Sequence, residues 1–155
     1  MMMMESFIKY FPESDLKSEQ LFQISRQNEN PVLFKLFEFY CPDTDCDCQK
    51  VLINFVEVTD QKSFVHATVS YGWESVPFYE EWGARKKEAL QIKRGYLEPS
   101  SPQLEYARDL LDAFRLRVQD PEFLQMLKFH YTMFKFETSQ KDDNQEKFDS
   151  FWQNI

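Results

Sequence analysis

Three strand-like runs lie close together in the chain, and they constrain the fold more than any other feature. The first run, PVLFKLFEFYC at 31–41, carries apolar residues on both faces, as an interior strand does. The runs VLINFVEV (51–58) and SFVHATVSY (63–71) are separated by the polar residues 59–62, which predicts a hairpin. The sequence therefore predicts an antiparallel β-meander of three or more strands.

Two helix patterns follow the strands. Ser101 and Pro102 have the residue types of an N-cap and of a first helical position, so a helix is expected to begin there. Its apolar stripe consists of Leu104, Ala107, Leu111, Phe114 and Val118. Asp120, Pro121 and Glu122 repeat the start signal for a second helix. The apolar side of that helix carries Leu124, Leu127, Tyr131 and Phe134. Packed on the meander, these C-terminal helices predict an α+β fold.

Two further segments have helical patterns. In residues 12–30 a short amphipathic pattern is formed by Leu16, Leu21 and Ile24. In residues 72–99, Ser75 is placed to cap a helix over 76–91, while LQIKRGYL at 90–97 is compatible with an edge strand. We expect a helix over 76–91 and leave the edge strand open as the alternative.

The size of the chain favours a single domain over residues 1–155. With 155 residues, 43% of them hydrophobic, the chain is long enough to bury a core, which we place at about 31–136. A polar spacer at 139–147 precedes a short amphipathic tail at 148–155. The apolar stripe of the tail is Phe148, Phe151, Trp152 and Ile155. We expect this stripe to contact the core, or to bind a partner protein or a second copy of the chain.

Charge and hydropathy argue against two classes of partner. The formal net charge of −8 disfavours nucleic acid, whose binding requires lysines and arginines that displace counterions from phosphates. No apolar run reaches the ~18 residues of a membrane span, and the N-terminal residues lack the pattern of a secretory signal. The three cysteines are clustered and odd in number, unlike a disulfide framework. We therefore expect a cytoplasmic protein that binds neither nucleic acid nor membrane.

The cysteines Cys41, Cys46 and Cys48 are the strongest chemical signal in the chain. Their spacing, C-x4-C-x-C, falls between the first two predicted strands, so a tight loop would bring three thiolates together. Three thiolates are three quarters of a tetrahedral zinc shell. The interleaved Asp43, Asp45 and Asp47 resemble the start of an EF-hand loop. However, Cys48 stands at the position that requires glycine, and Asn54 at the position that requires glutamate. Zinc is the predicted ion.

A fourth ligand must come from elsewhere, and the chain has two histidines. With a hairpin turn at 59–62, Phe55 faces His66, which puts His66 roughly 20 Å along the sheet from Cys48. His130 lies one helical turn from Leu127 and Phe134 on the second helix, so its side chain is expected to face inward. The sequence therefore predicts Cys41, Cys46, Cys48 and His130 as metal ligands, while a hydrogen-bonded core role for His130 stays open.

Three hypotheses about function follow from these patterns. The first is a structural zinc domain with a binding or scaffold role, since a closed four-ligand shell has no position for substrate. The second is a metal-dependent hydrolase or redox enzyme that uses an open three-cysteine site, with Asp45, Asp47 or Glu74 as base. The third is an interaction module without metal. Its surface would be formed by the aromatic residues Tyr71, Trp73, Phe78, Tyr79 and Trp82. A free redox thiol is disfavoured, because the three aspartates raise thiol pKa values by like-charge repulsion.

Three stretches of the chain resemble a known type of bacterial protein. FYCPDTDCDCQKVLINFVEV, LEPSSPQLEYARDLLDAF and DPEFLQMLKFHYTMFK, within residues 32–136, are similar to the N-terminal part of uncharacterised proteins, some of which end in a SEC-C zinc motif. Cys41, Cys46, Cys48 and His130 fall within these stretches. The resemblance implies no activity, and the SEC-C signature itself, C-x-C-x8-C followed by His or Cys, is absent from this sequence.

Overall fold

A six-stranded antiparallel sheet forms the centre of the fold. The computed structural model describes residues 4–14, 20–59 and 63–153, and of residue 14 and residues 141–153 it describes the backbone only. The strands are β1 (Glu5–Ser6), β2 (Leu21–Ile24), β3 (Val32–Tyr40), β4 (Lys50–Glu57), β5 (Val65–Gly72) and β6 (Tyr96–Leu97). Their order is β1-β3-β4-β5-β6, and β2 also pairs with β3. The predicted meander is therefore confirmed as β3, β4 and β5.

The helices occur before and after the meander. They are α1 (Phe7–Tyr10), α2 (Val76–Glu81), α3 (Lys86–Arg94), α4 (Ala107–Arg117) and α5 (Pro121–Gln153), and a 3-10 turn is present at Pro12–Ser14. Together with the antiparallel sheet, these helices confirm the predicted α+β class.

One face of the meander is packed against the C-terminal helices. Alternate residues of each strand point to this face, so that Phe34 and Leu36 of β3 and Ile53 and Phe55 of β4 are fully buried. Aromatic side chains join the sheet to the helices, and the Phe55 ring lies 6.4 Å from that of Phe114 in α4, centroid to centroid. From the helices, the same core cluster includes Leu110, Leu111, Phe114, Phe123, Leu127, Tyr131 and Phe134.

The start of α4 differs from the sequence prediction. We expected a helix from Ser101-Pro102, but α4 begins at Ala107. The preceding segment runs beside β5: the backbone N–H of Glu98 donates to the carbonyl of Thr68 (2.8 Å), and that of Leu104 to the carbonyl of His66 (2.9 Å). These sheet-like hydrogen bonds compete with helix formation, and so the capping signal is not used.

Two other helix predictions need correction. Leu21 and Ile24 lie in strand β2, where Phe22 and Ile24 are the buried residues, so the helical pattern in 12–30 is wrong for this part. Leu16 lies outside the described residues. The helix expected over 76–91 is present as α2 and α3, which are separated by a break at Gly83 with a φ of 105°, a value that favours glycine.

The edge-strand alternative within 90–97 applies only to β6 (Tyr96–Leu97), because α3 continues to Arg94. The N-terminal cap of α2 is as predicted, since the Ser75 hydroxyl accepts a hydrogen bond from the backbone N–H of Phe78.

The hairpin register is as predicted next to the turn and is shifted by one residue beyond Val56. Phe55 pairs with Ala67, not with His66, while Val56 pairs with Val65. His66 is thus the extra residue of a β-bulge, and a bulge cannot be read from an even alternation of side chains. Its imidazole lies 3.3 Å from the Glu57 carboxylate and beside the Phe34 ring.

The second C-terminal helix begins where predicted. The Asp120 carboxylate accepts a hydrogen bond from the backbone N–H of Glu122 (3.0 Å) at the start of α5. Helix α5 is 33 residues long, and its backbone includes the segment 139–147, for which the sequence predicts a polar spacer. The side chains of the predicted stripe Phe148, Phe151, Trp152 and Ile155 lie outside the described part of the chain.

Two leucines of α4 test the orientation of this helix. Leu111 is 1% exposed and Leu116 is 70% exposed. We expect Leu111→Ala to lower the free energy of unfolding by about 2–5 kcal/mol, because it removes buried methyl groups and leaves a cavity. Leu116→Ala is the matched control, with an expected change within about 0.5 kcal/mol. Urea unfolding followed by circular dichroism measures the free energy of unfolding of both variants. Equal losses of stability would contradict the burial of Leu111 and the exposure of Leu116.

Candidate metal centre

The loop between β3 and β4 brings the three cysteines together. Their sulfur atoms all lie within 4.8 Å of one another, and none of them is in a disulfide. Cys41 and Cys48 are fully buried, while Cys46 is partly exposed. In a tetrahedral zinc site with Zn–S bonds of about 2.3 Å, neighbouring sulfurs are about 3.8 Å apart, so a small closure of the loop is enough to fit the ion. The three cysteines can thus hold a metal ion.

The loop folds locally through a turn at Asp43. The Asp43 side chain accepts a hydrogen bond from the backbone N–H of Asp45 (2.9 Å), and its carbonyl accepts one from the N–H of Cys46 (3.1 Å). The loop ends at Gln49, whose φ of 52° is in the left-handed region. This turn returns the chain toward Cys41, so that sulfurs separated by several residues converge.

Helix α5 holds the loop from one side. The Lys135 ammonium donates to the carbonyls of Cys41 (2.7 Å) and Asp43 (2.8 Å). One turn earlier, the Tyr131 hydroxyl donates to the Asp47 carboxylate at 2.9 Å. These bonds join both halves of the loop to one helix.

The residues after β5 hold the end of the loop. The Trp73 indole N–H donates to the Gln49 side-chain carbonyl (2.8 Å), and the Tyr79 hydroxyl donates to the Gln49 backbone carbonyl (2.8 Å). The backbone N–H of Gln49 donates to the Tyr131 hydroxyl (3.2 Å). Gln49, with its left-handed backbone, is therefore held by three aromatic side chains, two of which bond to its backbone.

Burial makes the thiols of Cys41 and Cys46 weaker acids. It is the largest cause that raises the pKa of Cys41, while the backbone N–H of Asp43 and the Lys135 ammonium act in the opposite direction. Burial also raises the pKa of Cys46, and the neighbouring Cys48 adds to this effect. A nucleophilic or redox cysteine needs the reverse, a stabilised thiolate. The environment therefore disfavours a free reactive thiol in this loop.

His130 lies outside the cysteine cluster. The group of ligand atoms within 4.8 Å of one another consists of the three cysteines and includes no histidine among the described residues. The His130 Nδ1 is instead 2.8 Å from a carboxylate oxygen of the buried Glu38, and its ring stacks on Phe7 at 4.2 Å. The structure thus gives His130 the hydrogen-bonded core role that the sequence had left open. His66 is likewise absent from the cluster.

Two residues that are important in this region, Glu38 and Lys135, were not identified from the sequence. Glu38 occupies an inward position of β3 between Leu36 and Tyr40, and a carboxylate at such a position is a signal that a buried partner exists. Lys135 lies one turn after Tyr131 on α5, but no local pattern relates it to a loop far away in sequence. Glu38 could have been found from strand alternation; Lys135 could not.

The aromatic residues proposed as an interaction surface are mostly core. Tyr71, Trp73 and Tyr79 are buried, and only Trp82 of the five is exposed, at 44%. Phe78 packs partly buried against the smaller apolar cluster around Tyr79. These side chains therefore do not form a continuous exposed aromatic patch.

Comparison with known proteins gives no family for this chain. No family model, no curated protein and no solved structure matches it. The resemblance to SEC-C-associated bacterial proteins consequently stays a prediction. None of the helices in the described part of the chain combines the length and the hydrophobicity required to cross a bilayer.

The raised pKa values of Cys41 and Cys46 predict a pH dependence of the metal-free protein. Between about pH 7.5 and 9.5, these two cysteines lose protons in the unfolded chain that the folded state retains, so the free energy of unfolding falls as the pH rises. A variant with Cys41 and Cys46 both replaced by alanine should show a shallower fall over this range. Urea unfolding in the presence of a chelator measures both slopes; identical slopes would contradict the prediction.

Proposed function

We propose that this protein is a small cytoplasmic zinc-binding domain with a binding or scaffold role, in which Cys41, Cys46 and Cys48 hold the ion. The observation that carries the proposal is the mutual approach of three sulfur atoms within 4.8 Å. All the cysteines of the chain take part, and they come from one loop that other elements hold in place. A bound zinc ion would cross-link the three cysteines and so make this loop rigid at the end of the sheet.

The chemistry of the donors supports zinc over a hard cation. Thiolates are soft ligands that bind zinc in preference to calcium or magnesium. Three thiolates and a zinc ion carry a net charge of −1, and the Lys135 ammonium, next to the backbone of Cys41 and Asp43, is placed to offset it. The N–H of Asp43 donates to the Cys41 sulfur, a common form of support for a metal-bound thiolate.

A second candidate function is favoured by the number of ligands. Among the described residues, no other His, Cys, Asp or Glu belongs to the cluster, so a zinc ion would have one position for water or another molecule. Three protein ligands and an exchangeable position are typical of catalytic zinc sites. A metal-dependent hydrolase or redox enzyme is therefore the alternative, with Asp45, Asp47 or Glu74 as the candidate base.

Metal content tests the proposal directly. Protein purified without added metal is expected to contain about one zinc per chain, and the triple cysteine-to-alanine variant is expected to contain none. Inductively coupled plasma mass spectrometry measures the zinc content of both. Removal of zinc by a chelator should lower the melting temperature of the wild type and leave that of the triple variant unchanged. A zinc-free wild type, whose melting is unchanged when zinc is added, would contradict the proposal.

Two single substitutions refine this measurement. His130→Gln is expected to keep the zinc content, because His130 faces Glu38; loss of zinc in this variant would restore His130 as the fourth ligand. Asp45→Asn is the matched control in the loop and should leave the zinc content unchanged. Its side chain is exposed, and its contact with Asp43 is made by the backbone N–H, which the substitution keeps.

Cobalt substitution separates the two candidate functions. A site with three thiolates and an exchangeable fourth position should change its visible spectrum when azide or thiocyanate is added, because the anion enters the coordination shell. A site closed by a fourth protein ligand should show the same thiolate–cobalt bands with and without the anion. An anion-dependent spectrum favours the enzymatic alternative, and an unchanged spectrum favours the structural role.

A further inference from the structure

A second candidate site, separate from the cysteines, lies between α1 and the first turns of α5. An open cavity of about 780 Å³ is present here. Most of its wall is apolar and consists of Phe7, Phe11, Met126, Phe129 and Met133. A cavity of this size, with an apolar wall and few polar groups, is typical of a site for a small organic ligand.

His130 contributes a buried polar group to the wall of this cavity. Its residue exposure is 6%, and that of Glu38, with which it pairs, is 3%. The Glu38 carboxylate also accepts hydrogen bonds from the Tyr40 hydroxyl (2.6 Å) and, at 3.4 Å, from the Gln20 side chain. Burial of such groups is costly unless each is paired, and here the carboxylate is surrounded by donors.

The hydrogen bonds of Glu38 determine which nitrogen of His130 is available. A carboxylate is an acceptor, so the His130 Nδ1, at 2.8 Å and 3.0 Å from its two oxygens, must donate. The neutral imidazole then carries its lone pair on Nε2. Among the described residues, Nε2 has no hydrogen-bond partner. Stacking on Phe7 at an interplanar angle of 15° keeps the ring in place.

The charges around the cavity select the kind of ligand. Glu13 and Glu122 line it, and no lysine or arginine is among the described lining residues. A carboxylate or phosphate ligand would face these two carboxylates without a compensating cation. An ammonium group would be attracted by them, could donate to Nε2, and could lie against the faces of Phe11 or Phe129.

We propose that this cavity binds a hydrophobic primary amine, with its ammonium group donating to His130 Nε2 near Glu13 and Glu122. The apolar part of the ligand lies against the phenylalanine and methionine side chains. Glu38 acts as a positioning residue, which holds the imidazole with Nε2 toward the ligand. This site is independent of the cysteine loop and does not require a bound metal.

Octylamine and octanoate are matched probes for this proposal, since they share an apolar chain and differ in the sign of their charge. Protein labelled with 13C-methyl methionine should show shifts of the Met126 and Met133 methyl signals on titration with octylamine. The signals are assigned by Met→Leu substitutions. Octylamine should bind at least about tenfold more tightly than octanoate, as expected for a charge-assisted hydrogen bond. Octanoate binding as tight as that of octylamine, or no shift of either methyl with octylamine, would overturn the proposal.

Two sets of variants test the residues that receive the amine. His130→Phe keeps an aromatic ring beside Phe7 but removes the acceptor, and it should weaken octylamine binding about tenfold. The control is His66→Phe, because His66 also pairs with a glutamate but lies outside the cavity, and it should leave binding unchanged.

If His130→Phe does not fold, a double variant, Glu13→Gln with Glu122→Gln, replaces it, because both glutamates are exposed. That double variant should weaken octylamine binding several-fold; unchanged affinity in it, or in a folded His130→Phe, would overturn the proposal.

Discussion

The antiparallel pairing of β3 with β4 is the constraint on which the cysteine site depends. Phe39 pairs with Leu52, so the chain must reverse direction within residues 41–49, where all the cysteines lie. An antiparallel ladder fixes the two ends of its connecting loop a few ångströms apart. The approach of the three sulfurs is therefore a consequence of sheet register, combined with the turn at Asp43 that folds the loop back.

Helix α5 determines the surroundings of both candidate sites. Tyr131 and Lys135 face the cysteine loop, whereas His130 faces Glu38 and the apolar cavity. Because adjacent helical residues point about 100° apart, one helix can serve two environments within a single turn. A shift of α5 along the sheet would move Lys135 away from the loop and His130 away from Glu38, so the two sites depend on the same packing.

Much of the fold was accessible from local patterns. The sequence predicted strands β3, β4 and β5 and the start of α5, because side-chain alternation and helix capping depend on residues that are close together in the chain. The helix start at Ser101 was wrong, since sheet-like hydrogen bonds to β5 compete with that cap. The register was right at Val56 and wrong by one residue from Phe55 onward, because a bulge such as the one at His66 cannot be recognised from the hydrophobic pattern.

The position of the three cysteines in one short loop between two strands follows from the amino-acid sequence, because both the spacing and the strands are local properties. The side chains that surround this loop depend instead on tertiary packing. His130 faces inward as expected, but its imidazole contacts the Glu38 carboxylate and not the cysteine sulfurs. Lys135, in contrast, lies beside Cys41. The partner of a helical side chain depends on how the helix packs across the sheet, and that packing is set by contacts between residues far apart in the chain.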